Sequence, residues 1–430
     1  MKHAYVVKLT TGRQIFWLYC CLLLTTGAAR AQAPTWGGAV FGTASAAGGL
    51  SIAQATATDA SGNVFVTGVF TGTVAFGSTT LTEQGGGDVF VAKYAPASGT
   101  WAWALSAGGT GNDKGTSLAV VGNSVYVLGD FTNSTTNTNG VLFKNTGNSA
   151  GTGVQGATVY VSSDIFLAKY VDQGSTATLA WTQVAGGLDA DYSAGLAASG
   201  SNLYVITNIQ NNSANTNRVL FGGNGSMAGT ISVRGAASST TLDLCLAKYV
   251  DQGSSASLAW TQVGGGTNQD YAAGVAVSGT SVYVIGSLWN NQANANEVLF
   301  GGNGTTTGTT TVHGASATAS SDLLLAKYTD QGSSATLGWT QVGGGTTYDV
   351  AVGVATSGSS VYVSGNIRND AANSNAVLFG GDGATAGTTT VRGVALTWCW
   401  PSTPITVARP PWAGYRWAAA AARTAARAWR

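Results

Sequence analysis

The chain has 430 residues, of which 62 are Gly and only 6 Pro, and charged side chains make up 9%. Such a composition, filled out with Thr, Ser, Asn and Val, disfavours long helices and suits many short strands joined by glycine turns. A net charge of +1 offers no electrostatic footprint for nucleic acid or an anionic membrane surface, and 44% hydrophobic content argues against a disordered chain.

Residues 1–31 read as a signal peptide. Lys2, Lys8 and Arg13 precede an apolar run from Ile15 to Leu24, and Ala29-Arg30-Ala31 supplies small residues for cleavage near Ala31. The run is too short to span a bilayer, so the mature chain is expected to have no membrane span and to be secreted or held at the cell surface. Cys20 and Cys21 leave with the signal, and Cys245 with Cys399 alone make no disulfide framework. Residues 32–47 follow, where Thr35-Trp36 and Val40-Phe41-Gly42 imitate one strand of the repeat described next. This N-terminal strand is expected to close the last blade of a ring.

Residues 48–393 repeat. The segments Asp88-VFVAKY, Asp164-IFLAKY, Asp243-LCLAKY and Asp322-LLLAKY place Lys93, Lys169, Lys248 and Lys327 at spacings of 76, 79 and 79. Each copy continues with a Trp strand (Trp103, Trp181, Trp260, Trp339), a Gly run and an Asp: Asp113, Asp191, Asp270 and Asp349. A strand such as Gly274-VAV, a tight turn and a strand such as Val282-Tyr-Val-Ile-Gly come next. Each unit thus offers four short strands. Runs such as LLLA are apolar at successive positions, so both faces of that strand must be covered. Sheets stacked around an axis do this, which predicts an all-β fold: a β-propeller of four-stranded antiparallel blades, with four complete repeats, a partial fifth and an incomplete ring. A β-solenoid is the alternative, although its coils usually repeat at shorter periods.

The pattern resembles the SBBP repeat, a β-propeller repeat of exported bacterial proteins typified by D-x-F-(V/L)-A-K-Y, a following Trp and a Val-Tyr-Val-x-Gly strand. It covers about residues 48–393 in four matching copies. The resemblance implies a fold and an address, not a reaction.

Candidate chemistry is sparse. His3 lies in the signal, and His313 occupies the place of Arg234 and Arg392 in a loop, so a Ser-His-Asp or Cys-His constellation has no base to build on. Cys245 replaces Phe or Leu in a buried strand. Asp189-Ala-Asp191 and Asp59-Ala-Ser-Gly-Asn63 look like fragments of calcium loops without the closing acid, so calcium is the one weak cofactor candidate and a capped turn the plainer reading. Asp172-Gln-Gly174 does not match the Asp-box of sialidase-type propellers, because Trp181 follows too late. Gly264-Gly-Gly266 precedes no helix and no Lys-Ser/Thr, so it cradles no phosphate.

The candidate binding residues are Asp113, Asp191, Asp270 and Asp349. Strand parity puts them on one rim with the insert that follows each second strand, 35 residues long between Gly286 and Asp322 and 19 between Gly68 and Asp88. They either cap backbone amides in the Gly loop or form a carboxylate ring for a glycan or surface-protein partner. Asp88, Asp164, Asp243 and Asp322, with their lysines, are expected to fasten blade to blade. Because almost nothing apolar-to-polar or acid-to-base is unique to one copy, a non-catalytic exported protein for binding or adhesion comes first. A purely structural surface module comes second, and a propeller hydrolase or lyase with its site in a missing C-terminal part third.

After Gly393 the repeat stops, and residues 394–430 hold five of the thirteen Trp and four of the six Pro. Leu396 to Thr403 can be written CTG-ACC-TGG-TGC-TGG-CCA-AGT-ACA; read from the last base of the Leu codon, this spells Asp-Leu-Val-Leu-Ala-Lys-Tyr, the next repeat segment. The same shift turns the Ala418–Arg423 stretch into Gly-Gly-Gly-Gly-Thr-Asp. The tail is therefore expected to be frameshifted from about Val394, with no native domain. An uninterrupted gene whose codons do not spell the repeat would overturn that reading.

Overall fold

The computed structural model describes residues 42–44, 49–132, 141–146, 148–157, 162–210, 219–227, 229–236, 240–289, 298–315, 319–368, 377–391, 405–406 and 416–417. The expected signal peptide and cleavage site, Trp36 and nearly all of the 394–430 tail lie outside these residues. The described chain is all β, without helices, and its antiparallel sheets are built from a repeated four-strand unit.

A short strand β1 (Thr43–Ala44) comes first. The first unit is β2 (Leu50–Thr58), β3 (Val64–Thr71), an insert hairpin β4 (Thr73–Phe76) and β5 (Thr79–Thr82), then β6 (Asp88–Ala95) and β7 (Thr100–Gly108). The second is β8 (Lys114–Val121), β9 (Ser124–Thr132), insert β10 (Val141–Asn145) and β11 (Asn148–Val154), β12 (Ser163–Asp172) and β13 (Ala177–Gly186). The third is β14 (Tyr192–Ser199), β15 (Asn202–Gln210), insert β16 (Val219–Gly223) and β17 (Ile231–Val233), β18 (Leu242–Asp251) and β19 (Ala256–Gly265). The fourth is β20 (Tyr271–Ser278), β21 (Ser281–Trp289), insert β22 (Val298–Gly302) and β23 (Thr310–Val312), β24 (Ser321–Asp330) and β25 (Ala335–Gly344). A fifth unit has β26 (Val350–Ser357), β27 (Ser360–Asn366) and insert β28 (Val377–Gly381) with β29 (Thr389–Val391); β30 (Ile405–Thr406) and β31 (Arg416–Trp417) follow in the tail.

Local chemistry accounts for the unit. From the second unit on, first and second strands are joined by two-residue turns whose Gly takes positive φ, as Gly279 does at +60°, a conformation open to Gly at little cost. The third strand is buried at nearly every position, Asp243 through Tyr249 in β18, as its unbroken apolar run requires. The cover comes from neighbouring sheets. One core joins the first and second sheets through Phe65, Val91, Trp103, Val127 and Phe166. Another joins the second and third through Leu128, Trp181, Val205 and Cys245, and a third joins the third and fourth through Ile206, Leu246, Val284 and Leu324. The first strands β2, β8, β14, β20 and β26 neighbour one another in that order.

The insert departs from the expectation of a decorated rim loop. From the second unit on, each insert hairpin leaves its own sheet and extends the preceding one, β10 pairing with β7, β16 with β13, β22 with β19 and β28 with β25. The reason lies in the Val-Leu-Phe pattern. Val298 and Phe300 are buried while Leu299 between them is half-buried, and Phe300 packs where a Cβ on Gly264 would stand 2.2 Å from its ring. A four-stranded unit thus becomes part of a six-stranded sheet whose last two strands belong to the next repeat. The backbone amides of Gln155, Arg234 and His313 donate to the carbonyls of Gly225, Gly304 and Gly383, tying each insert to the next. His313 thereby holds an inter-repeat position. At the N-terminus Thr43 and Ala44 pair with Ala75 and Val74 of β4, so β1 stands to the first insert as β7 stands to the second.

Candidate functional site

The four aspartates of the Gly loops are brought to equivalent positions, but they are buried rather than presented. Asp113, Asp191, Asp270 and Asp349 are each at most 1% exposed. In Asp113, Oδ2 accepts the Gly109 amide at 2.8 Å and Oδ1 that of Thr132 at 3.2 Å; Asp349 does the same with Gly345 and Arg368 at 2.8 and 2.9 Å. Asp191 and Asp270 take the amides of Gln210 and Trp289. Their own amides donate to Gly87, Ser163, Leu242 and Ser321, just before or at the start of the preceding unit's third strand. Each carboxylate therefore knots the Gly loop to the end of a second strand, while its backbone is tied to the preceding sheet.

Burial pushes the Asp113 carboxyl up to about 7 and that of Asp349 to about 6, against the lowering effect of the capping amides; Asp191 and Asp270 are raised well above the usual range by the same cause. A group whose pKa is raised by folding binds more protons folded than unfolded, so its contribution is full below about pH 4 and lost as pH rises through 6–7. Urea midpoints are expected to fall from pH 5 to pH 8, and less steeply in Asp113→Asn. Midpoints that rise over that interval would contradict this.

The second aspartate series does not meet the lysines, which corrects the expected fastening. Asp164, Asp243 and Asp322 accept the amides of Ala157, Ala236 and Ala315, each at 2.6 Å, within their own unit, and Asp88 accepts that of Gln84. The lysines instead reach the Asp-Gln-Gly turn of the following unit. Lys93 meets Asp172, Lys169 meets Asp251 and Lys248 meets Asp330, each at 2.6 Å. The indole Nε1 of Trp103, Trp181 and Trp260 donates to the same carboxylates at 2.9–3.0 Å. Lys and Trp can share one acceptor because they stand directly opposite across β18 and β19, at a register shift that recurs after every such Lys. Tyr126 and Tyr204 add their hydroxyls at 2.7 Å. Burial opposes ionisation of Asp330, but the hydrogen bonds from Lys248, Tyr204, Gly332 and Trp260 prevail and hold it below the usual carboxylate range. The sequence carried this signal in the recurring Asp-Gln-Gly; the nearer Asp of the same strand drew attention away from it.

The exposed chemistry near the Gly loops is aromatic and apolar. Tyr192 and Tyr271, which follow the buried aspartates, and Tyr348, which precedes one, are 37, 41 and 44% exposed. Tyr192 and Tyr271 open the neighbouring strands β14 and β20, whereas Tyr348 lies in the Gly loop two residues ahead of β26, its ring 5.2 Å from that of Trp289. Ile52, Lys114 and Val350 hold the register position of Tyr192 in the other units, and Ile52 and Val350 are exposed as well. Three exposed Tyr in successive repeats were not singled out from the sequence, which carries no mark of their exposure.

Remaining candidates resolve locally. The carboxylate of Asp59 accepts the amides of Ser61 and Asn63 in the β2–β3 turn, and Asp191 of the Asp189–Asp191 pair serves as a cap. Among the described residues no cluster of three or more His, Cys, Asp or Glu is placed to hold a metal ion. Cys245 is fully buried in β18, and burial pushes its thiol up, away from the nucleophilic thiolate.

The fold defines a class, an all-β repeat protein with sheets linked in series. No protein-family model matches the sequence, and no curated protein matches it.

Proposed function

We propose that the chain is an exported β-propeller protein of the SBBP-repeat type whose role is binding or adhesion at the cell surface or outside the cell, without catalysis. The carrying observation is the pair Tyr192 and Tyr271, exposed at the starts of the neighbouring first strands β14 and β20, with exposed Tyr348 in the loop ahead of β26. A repeated array of solvent-facing aromatic rings, on backbone fixed by buried aspartate knots, suits stacking against sugar rings or apolar protein side chains. Successive first strands facing one another, with sheets covered on both sides, support the propeller arrangement. The recurring aspartates of the Gly loops and of the Asp-Gln-Gly turns are used for caps and clasps.

A glycan array and a surface-protein pull-down, probed with the chain and with Tyr192→Ala/Tyr271→Ala, test this reading. Binding is expected to be lost in the double variant while the unfolding free energy from urea titration stays within about 0.5 kcal/mol of the parent, as for surface changes. Silence across both screens, or binding indifferent to the tyrosines, would refute it. A purely structural surface module is the second reading, favoured by the serial joining of repeats through insert hairpins and clasps.

A further inference from the structure

Three junctions between repeats are closed by a clasp, and the fourth is not. Lys327 holds the place of Lys93, Lys169 and Lys248, lies 5.9 Å from the Tyr283 ring as Lys169 lies 5.9 Å from that of Tyr126, and stands opposite Trp339 in register. Among the described residues it has no carboxylate partner. The partner would belong to the third strand of the fifth unit. There, among the described residues, the sheet consists of β26 and β27 alone, whereas β3, β9, β15 and β21 each pair along their length with a third strand. The tail strands β30 and β31 pair with each other, and β31 lies beside β27 without joining its sheet.

The tail residues spell that strand more fully than its first segment suggests. Because Trp has a single codon, several shifted-frame residues are forced whatever codons the gene uses. Trp398 and Cys399 must give Val, Cys399 and Trp400 must give Leu, and Trp400 with Pro401 must give Ala, which is the centre of the third strand. Trp412 with Ala413 and Trp417 with Ala418 must each give Gly, matching the residue before Trp339 and Gly343 after it. Between these fixed points the frame can be read as Asp-Leu-Val-Leu-Ala-Lys-Tyr-Thr-Asp-His-Gly-Ser-Thr-Ala-Thr-Leu-Gly-Trp. Its second Asp, read across Pro404 and Ile405, follows the Lys by three positions, as Asp330 follows Lys327, and its Trp follows the Lys by twelve, as Trp339 follows Lys327.

We propose that the free edge of β27 together with Lys327 is the docking site for this one segment, the third and fourth strands of the fifth sheet encoded in the shifted frame of residues 396–414. The strand pairs with Ser360–Asn366 through backbone hydrogen bonds, and the second Asp takes the Lys327 ammonium with Trp339 beside it. Continuity with the three closed junctions assigns the occupant, since the same edge and the same Lys–Trp pair are filled there by this segment type.

The test uses the full chain and a fluorescently labelled synthetic peptide of the eighteen-residue sequence above. Anisotropy is expected to show saturable binding, with slowed amide exchange at Ser360–Asn366. Lys327→Met in the chain, or Asn for the second Asp in the peptide, is expected to weaken binding by about tenfold or more, as loss of one member of a desolvated charge pair does. A peptide of the same composition in scrambled order is expected not to bind. Absence of binding, equal binding of the scrambled peptide, or binding unchanged by both substitutions would overturn the proposal.

Discussion

Replacing Lys248 with Met is expected to destabilise the chain by about 3–5 kcal/mol, the cost of leaving one member of a buried ion pair alone. The side chains of Lys248 and Asp330 are only 3 and 7% exposed, and the carboxylate is already committed to Tyr204, Trp260 and the Gly332 amide. Without the ammonium, that carboxylate keeps its charge in a site poor in water. The double variant Lys248→Met/Asp330→Asn is expected to lose less than the sum of the single changes, because the stranded charge goes with its partner. Urea unfolding at low and high salt decides the matter. A loss below about 1 kcal/mol, the size typical of an exposed pair, would show that solvent reaches the clasp. Lys327→Met, without a carboxylate to strand, is expected to cost far less in the same assay.

The second large effect concerns a glycine. A Cβ on Gly265 would stand 2.0 Å from Asp243 Oδ1, and Gly186 and Gly344 meet Asp164 and Asp322 at 2.0 and 1.9 Å. Asp243 is fully buried and holds the Ala236 amide through its other oxygen, so its carboxylate has no free rotamer to retreat into. Gly265→Ala is therefore expected to cost about 3 kcal/mol, combining overpacking with a broken cap. Gly338→Ala is the matched control: its nearest contact, the Lys327 carbonyl, lies at 3.4 Å, and its stability is expected to change by less than about 0.5 kcal/mol. Thermal melts of the two proteins give the comparison, and equal midpoints would show that the aspartate can move aside.

These glycines show where the sequence was readable and where it was not. The strand pattern, the four-part unit and the burial of Asp243-LCLAKY on both faces follow from apolar periodicity and recurrence, which a single chain displays. The Gly run after Trp260 reads as a loop on composition. In fact Gly264 and Gly265 end a strand, one leaving room for Phe300 from the next repeat and the other for Asp243 from the adjacent strand. Such reasons are tertiary, so no local pattern announces them. The pairing of Lys248 with Asp330 is hidden for the same cause: the partners are 82 residues apart, while Asp243 sits five positions away and looks like the natural mate. For the candidate site, recurrence put Asp113, Asp191, Asp270 and Asp349 at equivalent positions, but recurrence says nothing about depth. Depth turned these acids into caps and left the tyrosines beside them as the exposed groups.

The insert hairpins also set an order in time. A sheet whose fifth and sixth strands come from the following repeat cannot be finished when its own fourth strand leaves the ribosome or an export channel. It waits for another stretch of chain, since β19 of one sheet receives β22 only after β20 and β21 have been laid down. During vectorial emergence the most recent sheet always trails incomplete, with one open edge, while everything before it is sealed. The chain thus carries a moving front of a single unfinished sheet, and its exposure to misassembly does not grow with the number of repeats.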